Sequence, residues 1–448
     1  MNYTDIFIKN NEVIYKCNLN NSIKKRLKYA LLDYIGVTIA GYIFQKNKIQ
    51  NLLSNIVTPN GIISPIGLSH KTSLNDACFI NGLNAHALDF DDGTNAGIIH
   101  LGSPIFSVLL PLAQIYNIAG EKLLKAAILG YEASFTMAVT LQPQLKQRGY
   151  HATGVCGILG TALAISHLLD YTKEETKKAF SIAAVSATGT LKVLEDASQL
   201  KPYNVAKTSL MALISAQMAK AGFEVADDVL SGPAGYLTQF FGTDKIELKK
   251  PLLNGTYAIE KAYIKPYAAC RYTHPSIDIA KDLRKIKLFK QEEIKEVIIN
   301  TYSLAVKKHN HTLIKGANSA KMSIPYNFAV TYLTNKTGMD AFEDDCLKNS
   351  EIQKLTEKVK VIENKEMSAA FPKKTIAEVE IITNNEQIIK GKSELPKGEP
   401  ENPLSDNEII EKFKSLASYS GKTITEIDQI IDATLHVEEK LPQLLALI

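Results

Sequence analysis

The residues with most chemistry to offer lie in one stretch, His86-Ala87-Leu88-Asp89-Phe90-Asp91-Asp92-Gly93-Thr94, which runs on through His100 to Ser103-Pro104. It sets three carboxylates and a histidine beside an expected helix start. Two more histidines share that setting, His151 just before Thr153 and His274 directly before Pro275. In each case a cap residue or a first-turn proline predicts that a helix begins there. A helix N-terminus offers free N–H groups and partial positive charge, which suits a carboxylate or phosphate. Histidine beside it can move protons near neutral pH. Capping alone explains one such coincidence; three of them, with the lysines that follow, point to an anion-binding, proton-transferring site.

Two lysine-proline pairs supply positive charge. Lys201-Pro202 precedes a helix expected to be capped by Asn204, and Lys265-Pro266 leads by way of Arg271 to His274. A lysine before proline favours extended backbone, from which its side chain can reach into a cleft. Either lysine alone would read as a solvated loop residue. Ser323-Ile324-Pro325-Tyr326 places a tyrosine hydroxyl at another helix start.

Asp89, Asp91 and Asp92 follow a helix, where negative charge is unfavourable, so they point to another use. They do not fit a calcium loop: Phe90 and Asp92 break the phase, Gly93 falls one place early and no glutamate closes the frame. His100 and the lysines already bring the positive charge that a magnesium ion would supply, so no metal is expected. Crowded carboxylates raise one another's pKa, which would fit one of the three for proton transfer. His167 falls on the apolar side of a helix and reads as core, while His309-Asn310-His311 reads as a solvated loop or strand end. No nucleophile elbow, dinucleotide fingerprint or zinc helix is present.

Composition narrows the classes. The 448 residues exceed what one core supports, so two domains are expected, one of them open to assembly from separate segments. Lys plus Arg at 51 against Asp plus Glu at 47 leaves a net charge of +4, with the basic residues scattered, so nucleic acid is an unsuited partner. Five cysteines, with no Cys-x-x-Cys pair, favour a reducing, cytoplasmic setting. The N-terminus shows no signal-peptide pattern, and export is not expected. Residues 95–120 carry no Asp, Glu, Lys or Arg, yet Pro104, Pro111, His100, Gln114 and Asn117 interrupt them. A helix buried in a large core, and no membrane association, is the reading.

The elements that must position these residues are mostly helical. Three- and four-residue apolar steps predict helices over 22–41, 73–86, 104–118, 122–141, 153–169, 172–186 and 205–222, with a capping box at Thr172-Lys173-Glu174-Glu175. The spacing of Gly154, Gly157 and Gly160 reads as close helix packing, since no strand precedes it. An apparent phosphate loop at Gly421-Lys422-Thr423 fails because Leu416 stands where its first glycine belongs. Strands are expected over 293–303, 357–361, 377–383 and 386–392, with a turn at Asn384-Asn385, among helices over 275–288 and 325–335. A linker at 395–403 leads to helices over 406–418 and 425–448. The chain therefore reads as mainly α with an α+β second domain. Residues 1–252 and 404–448 form the all-helical domain, and 253–403 the smaller α+β one.

Four segments carry a family resemblance: 86–93, Gly149-Tyr150-His151-Ala152-Thr153-Gly154, Lys265 through Pro275, and Ala320-Lys321-Met322-Ser323-Ile324-Pro325-Tyr326. Their order and spacing resemble the MmgE/PrpD family over nearly the whole chain. Members include 2-methylcitrate dehydratases, cis-aconitate decarboxylases and iminodisuccinate epimerases. The resemblance implies a helical domain closed by the C-terminal helices, an α+β lid, a homodimer, and no metal or organic cofactor. It also implies an active site at Asp89, His100, His151, Lys201, Lys265, His274 and Tyr326. The chain departs from the family pattern at Leu101, where proline is usual, and at Asn204, where the decarboxylases resembled carry histidine. Ala206, Thr208 and Ser209 replace a more Gly/Ala-rich helix start, and Gly93 with its spacing to His100 is closer to the epimerase-like branch.

The resulting expectation is a lyase that removes a proton next to a carboxylate of a small di- or tricarboxylate. Catalytic His100, His151, Asp89 and Tyr326 would act with substrate-binding Lys201, Lys265, His274, Arg271 and Thr94. A 2-methylcitrate dehydratase-like hydro-lyase ranks first because that is the family's commonest assignment, which is analogy. A decarboxylase or an epimerase is the alternative, and a non-catalytic carboxylate-binding protein of the same fold is the reading from another class.

Overall fold

The computed structural model describes residues 2–55, 61–195 and 198–448. The expected helices form where periodicity and caps coincide. Asn20 caps Asn21–Phe44 by accepting from the Ile23 amide, Ser73 does the same for Leu74–His86, and Thr172 with Glu175 completes the capping box of Lys173–Val185. The charge-free stretch becomes Gly102–Tyr116, buried through its first three turns and stopped at Asn117, whose φ is 49°. It packs beside Gly120–Leu141 in a core that holds Phe106, Leu109, Leu124 and Phe135.

Three boundaries differ from the periodicity. The helix expected over 153–169 is two, Ala152–Val155 and Gly157–Leu168, parted at Cys156. The helix expected from 205 begins at Lys201 with Pro202 in its first turn, so Lys201 is helical rather than extended. The C-terminal segment breaks at His436 into Ile424–Leu435 and Val437–Leu447. An unexpected helix, Tyr3–Lys16, is held by Asp228, which accepts from the Tyr3 and Thr4 amides. The glycine series does mark close packing: a Cβ on Gly160 would lie 2.4 Å from the Gly130 carbonyl oxygen.

The smaller part is α+β. Its sheet has the order β2-β1-β3-β4, with β1 Ile294–Thr301, β2 Val359–Glu363, β3 Ala377–Thr383 and β4 Ile388–Ser393. β1 pairs parallel with β2 and antiparallel with β3, and β3 forms a hairpin with β4. Central β3 alternates buried and half-buried residues as an apolar face requires, while edge strand β4 carries Lys390 and Lys392 outward. Helices His274–Ile286 and Ile324–Thr334 bury Ile277, Leu283, Phe328 and Tyr332 in a second core with the sheet. Ile409, Phe413, Ile430 and Leu444 of the C-terminal helices complete the first core. The chain is thus mainly helical with a smaller α+β domain, and Asp89, His100 and His151 gather where the two cores meet.

Candidate active site

The site begins where Leu74–His86 ends. Asp89 turns the chain with φ at 51°, a left-handed conformation that aspartate tolerates better than most residues. Lys265 holds both ends of that turn, its Nζ donating to the Asp89 carbonyl at 2.6 Å and to Oδ1 at 2.7 Å. Lys201 donates to Oδ2 at 2.7 Å. Burial pushes the Asp89 carboxyl up, but the two ammonium groups outweigh it and hold the acid well below the usual carboxylate range. Asp89 in turn outweighs the burial of Lys201 and keeps its ammonium above the ordinary value. A two-way backbone bridge between Gly93 and Tyr263 brings Lys265 to Asp89. A Cβ at Gly93 would meet the Ile99 carbonyl oxygen at 2.8 Å, so the bridge requires glycine.

The other two aspartates have separate work. Asp91 accepts from His86 Nδ1 at 2.8 Å and from Ser103 Oγ at 2.6 Å, with His100 Nδ1 at 3.2 Å. Asp92 accepts from the Gly102 amide at 2.8 Å and Tyr131 Oη at 2.6 Å. The helix N-terminus beside His100 is therefore filled by the protein's own carboxylate, not left for a substrate. The expectation that crowding raises these acids fails for Asp89 and Asp91, both held well below the carboxylate range by cations or imidazoles despite burial. Asp92 does rise, chiefly through burial.

His100 and His151 face one another across a small chamber, ring centroids 6.3 Å apart. His100 Nδ1 lies 2.8 Å from the Asp92 carbonyl oxygen, which can only accept, so Nδ1 carries a proton and Nε2 is turned the other way. His151 Nδ1 lies 3.2 Å from Asn204 Nδ2. With that amide nitrogen donating, His151 carries its proton on Nε2. Burial, reinforced by nearby imidazoles and lysines, holds His151 well below the usual histidine range and keeps it neutral.

The chamber, about 70 Å³, is lined by Asp89, Thr94, His100, His151, Lys201 and Lys265, with Arg271 in its wall. Two of the three N–H groups of Lys201 and one of Lys265 lack a partner among the described residues. Arg271 is different. Its fork is spent on Glu399 Oε1, the His274 Nδ1 atom and the carbonyls of Pro396 and Lys397, which leaves no donor for a substrate. His274 is fully buried between Arg271 and the Ala269 carbonyl and supports the wall from behind. Tyr326 does not join the chamber. Its hydroxyl donates to the Ala341 carbonyl at 2.7 Å inside the second core, so the expected proton-donor role has no geometric basis.

Several site residues were not singled out from sequence. His86 lies 4.4 Å from His100 by ring centroids, and its buried Nε2 has no hydrogen-bond partner among the described residues. His309 is buried, donates to the Met322 carbonyl and lines the chamber, against the reading of 309–311 as a solvated loop. Lys146 also lines it, pushed down to about 8 by burial. Glu399 comes from the stretch read as a linker. The doubled His-x-His of 309–311 and the lone acid among prolines at 399 were the available signals. As a cation site, His86, His100 and His151 bring nitrogens within 4.8 Å of one another, but the Lys201 and Lys265 ammonium groups beside them oppose a metal ion.

Fold and chamber together show a mainly helical protein in which imidazoles and ammonium groups meet in one buried chamber. The chain belongs to the MmgE/PrpD family: its N-terminal domain model matches residues 15–249 and its C-terminal domain model residues 267–437. Cis-aconitate decarboxylase from Homo sapiens is 23% identical over 438 residues, covering 94% of this chain and 89% of the relative. The Mus musculus cis-aconitate decarboxylase is 24% identical over 447 residues, covering 95% and 88%.

Proposed function

We propose that the chain is a carboxylate lyase that moves a proton at the carbon next to a carboxylate of a small di- or tricarboxylate. The observation that carries this is the pair of lysines joined through Asp89 beside two imidazoles, His100 and His151, that face one another across the chamber. The free N–H groups of Lys201 and Lys265 would hold the substrate carboxylate and stabilise the negative charge that spreads onto it as the proton leaves. His100, its Nδ1 held by the Asp92 carbonyl, would use Nε2 as the base. His151, neutral and protonated on Nε2, would donate to the departing group or return a proton. Asp89 would fix the two ammonium groups and Thr94 would line the substrate's edge.

Loss of hydroxide makes this chemistry a hydro-lyase, the 2-methylcitrate dehydratase type that we rank first. The relatives named cis-aconitate decarboxylase favour loss of carbon dioxide as the second reading. Asn204, seated on His151, stands where the family resemblance implies a histidine for decarboxylases, and that departure weighs against simple transfer of that reaction. The test is to incubate the protein with 2-methylcitrate, citrate, cis-aconitate and iminodisuccinate in deuterated water and follow carbon-bound protons by NMR. Exchange with loss of water, or release of carbon dioxide, is the expected result and separates the two readings. Neither exchange nor product with any polycarboxylate would sink the proposal.

A further inference from the structure

One lysine of the chamber has no task in the chemistry proposed above. Lys146 lies on the short helical turn Gln144–Gln147, which Leu145 anchors in the first core just upstream of His151. Its amide donates to the Gln142 side chain at 3.3 Å and its carbonyl accepts from the Gly149 amide at 3.0 Å, so the backbone is fixed while the side chain lines the chamber. The Nζ atom stands 5.8 Å from the centroid of the Tyr272 ring, which belongs to the same wall. No carboxylate among the described residues pairs with it, and the ammonium groups of Lys201 and Lys308 oppose its charge. Burial and like-charged neighbours together pull the amine down to about 8. A lysine desolvated beside other cations is the setting in which the neutral amine becomes a nucleophile.

Other lysines lowered by burial are occupied or closed off. Lys207 donates to the Thr188 carbonyl and Lys261 to the Leu253 carbonyl, while Lys412 is paired with Asp33. Lys321 Nζ is sealed between the Phe44 and Phe342 rings. Among the described residues, Lys146 alone brings a lowered and unpartnered amine to the chamber wall, and its Nζ is not sealed from that space. The chamber of about 70 Å³ has room for about five water-sized groups, close to the size of a carboxylate joined to a carbonyl carbon. Lys201, with two N–H groups free among the described residues, can take that carboxylate in the same chamber.

We propose that Lys146 is the nucleophile of a second chemistry in this chamber, forming an imine with the carbonyl carbon of a 2-oxo acid whose carboxylate rests on Lys201. The amine nitrogen bonds to the carbonyl carbon, its two protons leave with the carbonyl oxygen as water, and a C=N bond remains. Holding the carboxylate rests on reading the chamber as a carboxylate site, whereas the imine needs no lyase step. The test is to incubate the full chain with pyruvate, the smallest 2-oxo acid that carries a ketone, and sodium cyanoborohydride near pH 7.5. Hydride adds to the imine carbon and fixes the adduct as a secondary amine, which peptide mass mapping then locates. At that pH an amine at about 8 holds on the order of a hundredfold more of its free base than an ordinary lysine. Lys146 should therefore carry at least roughly tenfold more label than any other lysine, and Lys146→Met should lose it. Mapping on the wild-type protein stands whether or not that variant folds. Saturating lactate, the same skeleton without the carbonyl, should cut the label roughly tenfold by competing for the cations. No label on Lys146, label spread evenly over surface lysines, or label that lactate leaves unchanged would each overturn the proposal. Label on Lys146 without turnover of any polycarboxylate keeps the imine site and removes the lyase reading, and turnover without label on Lys146 does the reverse.

Discussion

Asp89 carries the densest load of any single residue. One side chain holds two lysines, and its left-handed backbone presents the carbonyl to Lys265 as well. Replacing it by asparagine keeps the shape but removes the charge, which leaves two closely spaced ammonium groups in a buried site. Breaking a buried ion pair in this way costs about 3–5 kcal/mol, so Asp89→Asn should lower the urea midpoint markedly at neutral pH. The sign with pH follows from its depressed folded value. The stabilisation is full above the unfolded pKa of about 4 and is lost as pH falls toward the lower folded one. Wild type should therefore lose more stability than Asp89→Asn on acidification below about pH 4. Equal stability of the two proteins at neutral pH would show that the lysines do not need this charge. That Asp89, His100, His151, Lys201 and Lys265 would gather in one place was legible in residue types and in the family resemblance. The inward turn of His274 and the fully engaged fork of Arg271 were not, because both depend on Glu399, more than a hundred residues away in sequence.

Among elements, the C-terminal helix Asp406–Tyr419 decides whether the site loop is held. Lys412 donates to the Phe90 carbonyl at 2.8 Å, lies 3.9 Å from the centroid of the Phe90 ring, and pairs with Asp33 of helix Asn21–Phe44 at 2.6 Å. One cation thus ties the last part of the chain to the second helix and to the residue after Asp89. Lys412→Met should destabilise the protein by about 3–5 kcal/mol, because Asp33 is left buried and unpaired. Adding Asp33→Asn should recover most of that loss, since the double variant strands no charge. Urea denaturation of the two single variants and the double variant checks both statements, and additive losses would mean that the pair is not coupled. Helix existence was readable here from caps and apolar spacing, as at Thr172 and Ser73. What periodicity could not convey was that helix Lys201–Lys220 starts one turn early. Proline at the first turn is compatible with a helix start, and only the packing of Asn204 on His151 shows that the turn is used.

Across the whole molecule, buried bases between the two cores set the response to pH. Burial pushes His86 down to about 4 and His309 to about 3, and holds His151 and His274 well below the ordinary range. A group with a depressed folded pKa stabilises fully above its unfolded value, about 6.5 for histidine, and loses that contribution as pH falls toward the folded value. Asp33 acts the other way: burial raises it to about 6, so its share is present in acid and is lost as pH rises through that value. The four imidazoles should make the urea midpoint fall from about pH 7.5 to about pH 5, each contributing up to about 2 kcal/mol, opposed by the raised carboxyls of Asp33, Asp92, Glu132 and Asp278. His309→Gln, which keeps a donor for the Met322 carbonyl, should flatten that slope, and a midpoint that holds level or rises toward pH 5 would contradict it. The same burial that makes these rings costly to protonate keeps His151 neutral across the chamber from His100. Acid should therefore weaken the fold over a range in which the folded His151 itself stays uncharged, because the protons are taken up by the unfolded chain.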